Sequence, residues 1–166
     1  MKNVIEMTSG LQEKPEKERF LQAEKYISDQ SVRLENGYSL DGTHAASCAS
    51  MAVDVARLVC SEGGMPSILL IEGEKVDSIN TATLKPVRYK GTVSWGGHVA
   101  CECDGTLYDP LVGTPMKEHE YLRSVFSDPV ASEVLISSDE MEGFLLNASK
   151  SMKHASDAPS AENDTN

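Results

Sequence analysis

The chain has 166 residues, 40% of them hydrophobic, and a formal net charge of −11 at pH 7. This length suits one domain with a real hydrophobic core, and the negative charge argues against a nucleic-acid partner, whose phosphates would be repelled. No apolar run approaches a membrane span and the first residues lack a secretory signal, so we expect a cytoplasmic protein with no membrane partner.

The first part of the chain is predicted to be helical apart from one hairpin. Residues 16–29 carry an apolar face at helical spacing, formed by Phe20, Ala23 and Ile27. The Asn36-Gly37 pair predicts a β-hairpin over residues 32–40. A second, almost wholly apolar helix contains Cys48 and ends at Gly63-Gly64.

The middle of the chain is predicted to consist mainly of strands. A buried strand is expected at 67–71, and a charged loop over residues 72–80. Residues 82–89 are predicted to form an edge strand, because Pro86 has no N–H to donate to a neighbouring strand.

The last part of the chain is predicted to hold two further helices and one strand. The helices are expected near 116–126 and 138–149, and the strand at 132–136. Residues 150–166 lack hydrophobic periodicity, which predicts a disordered tail after a single domain over residues 1–149. Two helices followed by mostly antiparallel strands indicate an α+β fold.

A predicted hairpin brings a histidine and an aspartate together. Asp104-Gly105 is a strong signal for a two-residue turn, which would pair Ala100 with Asp109. His98 lies two residues before Ala100 and therefore on the same face of the sheet, as a diagonal neighbour of Asp109. Diagonal neighbours lie about 7–8 Å apart at the backbone, within reach of an imidazole–carboxylate hydrogen bond. A turn one residue longer would place the two side chains on opposite faces.

The side chain of Cys48 is predicted to point inward from its helix. The polar positions of this helix form one narrow stripe of Ser50, Asp54, Arg57 and Ser61. At about 100° per residue, Cys48 lies nearly opposite that stripe. Two helix starts are compatible with the sequence: Ser47 as N-cap makes Cys48 the first helical residue, whereas Thr43 places it in the second turn. In the first turn, free N–H groups would lower the thiol pKa and could hold an oxyanion.

Cys48, His98 and Asp109 supply the thiol, imidazole and carboxylate of an activated nucleophile. They are the candidate catalytic residues. Cys60 is instead assigned to the core, on an apolar stripe with Ala49, Ala52, Val53, Ala56 and Val59. Cys101 and Cys103 are expected to face away from His98, and no Cys-x-x-Cys or paired-histidine spacing favours a metal site.

The segments SCASMAVDVARLVCSEGGMPSILLIEG and GGHVACECDGTLYDP, within residues 44–113, resemble the transglutaminase-like branch of the papain-like cysteine superfamily. In that family a Cys begins a helix, a Gly-(Gly)-x-Pro segment leads into a strand, and a His strand is followed by Asp-Pro. The resemblance implies a papain-like/transglutaminase-like core with the Cys helix packed on a mostly antiparallel sheet. It also implies that Cys48 is the nucleophile, His98 the general base and acid, and Asp109 its orienting partner.

Two positions near this site differ from relatives of the family. Gly42 stands where papain-like proteases have the Gln that completes the oxyanion hole. Trp95, three residues before His98, is the candidate shield of the imidazole, since aromatic residues are sparse after His98.

The expected function is that of a thiol-dependent hydrolase or acyl-transfer enzyme acting on an amide. The substrate would be a peptide bond or a protein glutamine carboxamide, so a protease, a deamidase and a transglutaminase-like enzyme are all open. A peptide or protein is the expected partner, and no cofactor or metal is expected. The alternatives are a catalytically inactive papain-like domain that binds a partner protein, and a structural metal-binding domain.

Overall fold

The structure is a computed structural model that describes residues 19–35, 43–90 and 92–156. These residues form helices and strands in an α+β arrangement. The helices are α1 (Leu21–Glu35), α2 (Thr43–Ser61), α3 (Glu118–Ser124) and α4 (Ser138–Ser156), with a 3₁₀ turn at Val87–Tyr89. The strands are β1 (Ser67–Gly73), β2 (His98–Cys103), β3 (Thr106–Tyr108), β4 (Met116–Lys117) and β5 (Val130–Ile136).

The five strands form one antiparallel sheet in the order β4-β3-β2-β1-β5. In the centre of the sheet Ile71 of β1 is opposite His98 of β2, and Leu69 is opposite Ala100. Helix α2, which contains Cys48, packs mainly against β2. The predicted α+β class and the packing of the Cys helix on an antiparallel sheet are therefore confirmed.

Each face of the sheet has its own hydrophobic layer, because successive residues of a strand point to opposite sides. On one face Ile68, Cys101 and Cys103 pack against α1, α2 and α4. On the other face Leu69, Ile71 and Ala100 pack against Tyr121 of α3 and against Phe126. Cys101 and Cys103 therefore lie on the face covered by α1, α2 and α4, away from the layer that contains Ala100, as the alternation predicted.

Helix α1 is displaced from its predicted position. It begins at Leu21 and continues to Glu35, so the predicted hairpin over 32–40 is wrong for residues 32–35, whereas residues 36–40 lie outside the described part. The apolar face of Phe20, Ala23 and Ile27 is buried as predicted. Leu34, one heptad after Ile27, is also buried, and the burial of this extra residue favours helix over hairpin.

The predicted edge strand over 82–89 is wrong. Leu84 and Pro86 make only isolated bridges, to Trp95 and Phe126, and Val87–Tyr89 form a 3₁₀ turn. The ring of Pro86 fixes its φ at −60°, and its carbonyl accepts a hydrogen bond from the N–H of Tyr89 over 3.1 Å. This local hydrogen bond replaces continued pairing with a neighbouring strand.

The elements after residue 115 exist but have different bounds. The predicted helix at 116–126 is divided into β4 and the shorter α3, and β5 begins two residues before the predicted strand. Helix α4 runs to Ser156, seven residues past its predicted end at 149 and into the segment expected to be a tail. Residues 157–166 lie outside the described part of the chain. None of the helices within it is long and apolar enough to cross a membrane.

The assignment of Cys60 to the core is wrong. Ala52, Ala56 and Val59 are buried, but Cys60 is exposed. It lies in the last turn of α2, on a surface that it shares with Met141 and Glu142 of α4. An apolar stripe on a helix therefore does not by itself ensure burial.

Candidate active site

The β2–β3 hairpin positions the histidine and the aspartate. Asp104 and Gly105 occupy the left-handed region, with φ of 52° and 74°, as a two-residue hairpin turn requires. Cys103 is opposite Thr106, and Cys101 is opposite Tyr108. This is the predicted register, and Asp109 follows directly after the last residue of β3.

His98 and Asp109 are in direct contact inside the protein. The Nε2 atom of His98 lies 2.7 Å from Oδ2 of Asp109, and both side chains are 4% exposed. The two residues are the buried polar residues of the described part of the chain. The same-face geometry predicted from the two-residue turn is thus present.

The carboxylate of Asp109 has two further hydrogen-bond donors. The N–H of Leu111 donates to Oδ1 over 3.0 Å, and the hydroxyl of Tyr121 donates to Oδ2. Burial by itself would raise the pKa of this carboxyl. The charge of His98 and the three donors outweigh burial and lower the pKa of Asp109 below its usual value.

Cys48 completes the group. It is half-buried on α2, and its sulfur accepts hydrogen bonds from the imidazole of His98 and from the backbone N–H of Val99. Burial opposes the thiolate, but these donors and the charge of His98 outweigh it and lower the pKa of the Cys48 thiol. Because Nε2 of His98 is hydrogen-bonded to Asp109, Nδ1 is the nitrogen that is available to hydrogen-bond to the sulfur of Cys48.

Aromatic rings enclose the imidazole of His98. The ring of Trp95 stacks on it with a centroid distance of 5.3 Å and an interplanar angle of 22°, and Phe126 meets it edge-on at 6.2 Å. Burial by itself would lower the pKa of His98. The charge and hydrogen bond of Asp109, together with Cys48, outweigh it and raise that pKa to about 10. The expected role of Trp95 as a shield of the imidazole matches this stacking.

The position of Cys48 in its helix decides between the two predicted helix starts. Helix α2 begins at Thr43, so Cys48 is in the second turn and the start at Ser47 is wrong. Its N–H is therefore not among the first four N–H groups, which lack partners within the helix. The thiolate is favoured by His98 and by the N–H of Val99 rather than by the free donors of a helix start.

The thiol opens on a small, mostly apolar cavity of about 10 Å³, which is room for about one water molecule. Besides the three candidate catalytic residues, its walls are formed by Leu34, Met51, Trp95, Gly97 and Leu111. The cavity lies where α1, α2 and the segment after β3 meet, so substrate access depends on how these three elements pack.

Sequence reasoning missed two residues of this site, Tyr121 and Phe126. Both come from α3 and the residues just after it, which reach the hairpin only through the pairing of β4 with β3, a pairing that the sequence did not predict. Tyr121 lies on the buried side of α3, and an aromatic residue at such a position predicts a core residue rather than a hydrogen-bond donor to Asp109.

The metal-binding alternative finds no support in the geometry. Among the described residues, no group of three or more His, Cys, Asp or Glu side chains is arranged to hold a metal ion.

Comparisons with protein-family models, curated proteins and solved structures give no match to this chain. The functional interpretation therefore depends on the geometry of Cys48, His98 and Asp109.

Proposed function

We propose that this protein is a thiol-dependent hydrolase or acyl-transfer enzyme that acts on amides, with a papain-like or transglutaminase-like catalytic arrangement. One observation carries the proposal. Cys48, His98 and Asp109 form a continuous hydrogen-bonded series in which the pKa of the thiol is lowered and that of the imidazole is raised. Such a combination favours a thiolate–imidazolium pair, the reactive form of a cysteine nucleophile.

The reaction follows from these protonation states. The thiolate of Cys48 attacks the amide carbonyl carbon, and the imidazolium of His98 gives its proton to the leaving nitrogen as the C–N bond breaks. This leaves a thioester on Cys48 and a neutral imidazole. His98 then removes a proton from water or from an amine, which attacks the thioester, and the released thiolate and imidazolium restore the starting state.

Asp109 acts on His98 throughout this cycle. Its carboxylate holds Nε2, so that Nδ1 stays directed at the sulfur, and its charge stabilises the imidazolium. The substrate class is an amide, either a peptide bond or a protein glutamine carboxamide. Water as the acceptor gives proteolysis or deamidation, and an amine gives transglutamination.

A comparison of two thiols on the same helix tests the proposal. Cys60 is exposed, and partial desolvation of its sulfur, followed by the charge of Glu142, raises its thiol pKa. Cys48 is less exposed, and its thiol pKa is lowered. We expect iodoacetamide at pH 6 to label Cys48 faster than Cys60, as measured by mass spectrometry of the peptides. Accessibility alone predicts the opposite order, and faster labelling of Cys60 would contradict an activated nucleophile.

An activity screen distinguishes the enzyme from a binding module. Purified protein is incubated with denatured protein substrates, and new peptide ends, released ammonia and incorporated amines are measured in parallel. Activity in one of these assays that is lost in Cys48→Ala but kept in Cys60→Ala is the expected result. An inactive papain-like binding domain would give no product in any of the three assays.

A further inference from the structure

We propose that Tyr121 is a positioning residue of this site. Its hydroxyl and the imidazole of His98 share one acceptor, Oδ2 of Asp109, and through this oxygen Tyr121 tunes the strength of the Asp109–His98 interaction. The proposal deepens the proposed function and rests on it for its catalytic meaning. It assigns Tyr121 a role beyond packing, in which its hydroxyl acts on His98 through the carboxylate of Asp109.

The contact between Tyr121 and Asp109 is specific. The Tyr121 hydroxyl donates to Oδ2, the same carboxylate oxygen that receives Nε2 of His98, while Oδ1 is occupied by the N–H of Leu111. Tyr121 is fully buried, so no solvent molecule can replace its hydroxyl without a rearrangement of the core. Each carboxylate oxygen thus has an assigned donor from the protein.

Packing fixes the tyrosine ring in this position. Phe126 meets the ring of Tyr121 edge-on at 6.1 Å and also meets His98 edge-on at 6.2 Å. Phe126 therefore packs against both of the side chains that donate to Oδ2 of Asp109. The result is a rigid arrangement in which the hydroxyl and the imidazole share one acceptor.

Sharing an acceptor has a chemical consequence. A carboxylate oxygen that already accepts a hydrogen bond from a hydroxyl is a weaker base, and it stabilises the imidazolium less than an unshared oxygen would. Burial and the adjacent Asp109 charge raise the pKa of Tyr121 well above its usual value, so its hydroxyl stays protonated at all working pH values. Tyr121 also keeps Asp109 charged and hydrogen-bonded when His98 becomes neutral during the reaction.

Substitution of Tyr121 and substitution of Asp109 should shift the pKa of His98 in opposite directions. Tyr121→Phe removes only the hydroxyl, which leaves Oδ2 to His98 alone, and should raise the pKa of His98. The imidazolium then gives up its proton less readily to the leaving nitrogen, and we expect turnover to fall about tenfold, the scale of one hydrogen bond to a charged group. Asp109→Asn removes the charge and should lower the pKa of His98.

The experiment is an NMR titration of the His98 imidazole in the wild type, Tyr121→Phe, Asp109→Asn and a control, Tyr26→Phe. The control also deletes a tyrosine-to-aspartate hydrogen bond, between Tyr26 and Asp54 of α1 and α2, but one remote from the site. We expect an upward shift for Tyr121→Phe, a downward shift for Asp109→Asn and no shift for Tyr26→Phe.

An unchanged or lowered pKa of His98 in folded Tyr121→Phe overturns the proposal, because the hydroxyl would then be a packing feature only. The titration needs no substrate, so its result stands whether or not an amide is turned over. If the activity screen fails while the titration succeeds, the proposed function is wrong and the tuning of His98 by Tyr121 remains.

Discussion

His98 and Asp109 are 11 residues apart in the sequence, yet their side chains meet over 2.7 Å in the interior of the protein. The hairpin between them supplies this contact, since its two-residue turn returns the chain with both side chains on one face of the sheet. A buried carboxylate needs hydrogen-bond donors for both of its oxygens, and Asp109 has them in His98, Tyr121 and Leu111. The pair is therefore stable enough to hold an imidazolium next to Cys48.

Removal of the Cys48 thiol should abolish activity and leave the fold intact. Cys48→Ala deletes one half-buried sulfur from a helix that tolerates alanine, so we expect a loss of turnover with a change in unfolding free energy of about 1 kcal/mol or less. Thermal melts and the activity assays check both parts. Cys60→Ala is the matched control: its side chain is exposed, so both stability and activity should be nearly unchanged.

Neutralisation of Asp109 should reduce turnover far more than substrate affinity. Asp109→Asn keeps the shape of the side chain but removes the charge that stabilises the imidazolium, and the loss in kcat should approach about 10⁴-fold, the scale known for serine-protease triads. Steady-state kinetics give kcat and KM separately. A variant that keeps wild-type kcat would show that His98 does not need its carboxylate partner.

The activity should depend on pH with two limbs. Below the lowered pKa of Cys48 the thiol is protonated and activity falls. This acid limb therefore lies at a lower pH than the pKa of an ordinary thiol. Above about pH 10 His98 loses its proton and can no longer protonate the leaving nitrogen. A profile of kcat/KM against pH measures both limbs. An alkaline limb near pH 6.5, the value of an ordinary histidine, would contradict stabilisation of the imidazolium by Asp109.

Arg88 should support the site from a distance. Its guanidinium donates to the hydroxyl and carbonyl oxygens of Ser31 on α1 and to the carbonyl of Leu111, whose N–H holds Asp109. Arg88→Ala leaves these part-buried carbonyls without that donor, and we expect a loss of about 2–3 kcal/mol in unfolding free energy together with lower turnover. Urea denaturation checks the first effect.

A second arginine provides the control for this variant. Arg33, also near the end of α1, is exposed, and its guanidinium donates to Oε1 of Gln30 on the same helix over 3.4 Å. Arg33→Ala should change the unfolding free energy by about 0.5 kcal/mol or less. Equal effects of the two substitutions would mean that Arg88 does not join α1 to the segment after β3.

Some parts of the fold were predictable because their causes are local. The Asp104-Gly105 turn requires two residues that tolerate a left-handed backbone, and that preference is visible in the sequence itself. The start of α4 has a local cause too: the N–H and hydroxyl of Ser137 both donate to Glu140 Oε2, at 3.1 and 2.8 Å. The side chain of Glu140 thus reaches back to the N–H of the residue just before α4, which is one half of a capping box, and the Ser-x-x-Glu spacing is visible in the sequence.

Other parts depended on partners that are distant in the sequence. Helix α1 continues to Glu35 because Leu34 gains a buried position, and the segment around Pro86 bridges to Trp95 and Phe126 instead of forming a strand. Intrinsic strand propensity is worth little against such burial. The apolar stripe of α2 likewise does not encode the exposure of Cys60, because burial depends on which elements pack against each turn of the helix.

The sequence by itself determined the α+β class, the hairpin register and the shared face of His98 and Asp109, because turn chemistry and the two-residue period of a strand act over a few residues. Only the tertiary structure brought Cys48 of α2 to His98 and Tyr121 of α3 to Asp109. These contacts form where helices from opposite faces of the sheet meet one end of β2 and β3. Their geometry depends on side-chain packing between elements, and no local pattern records it.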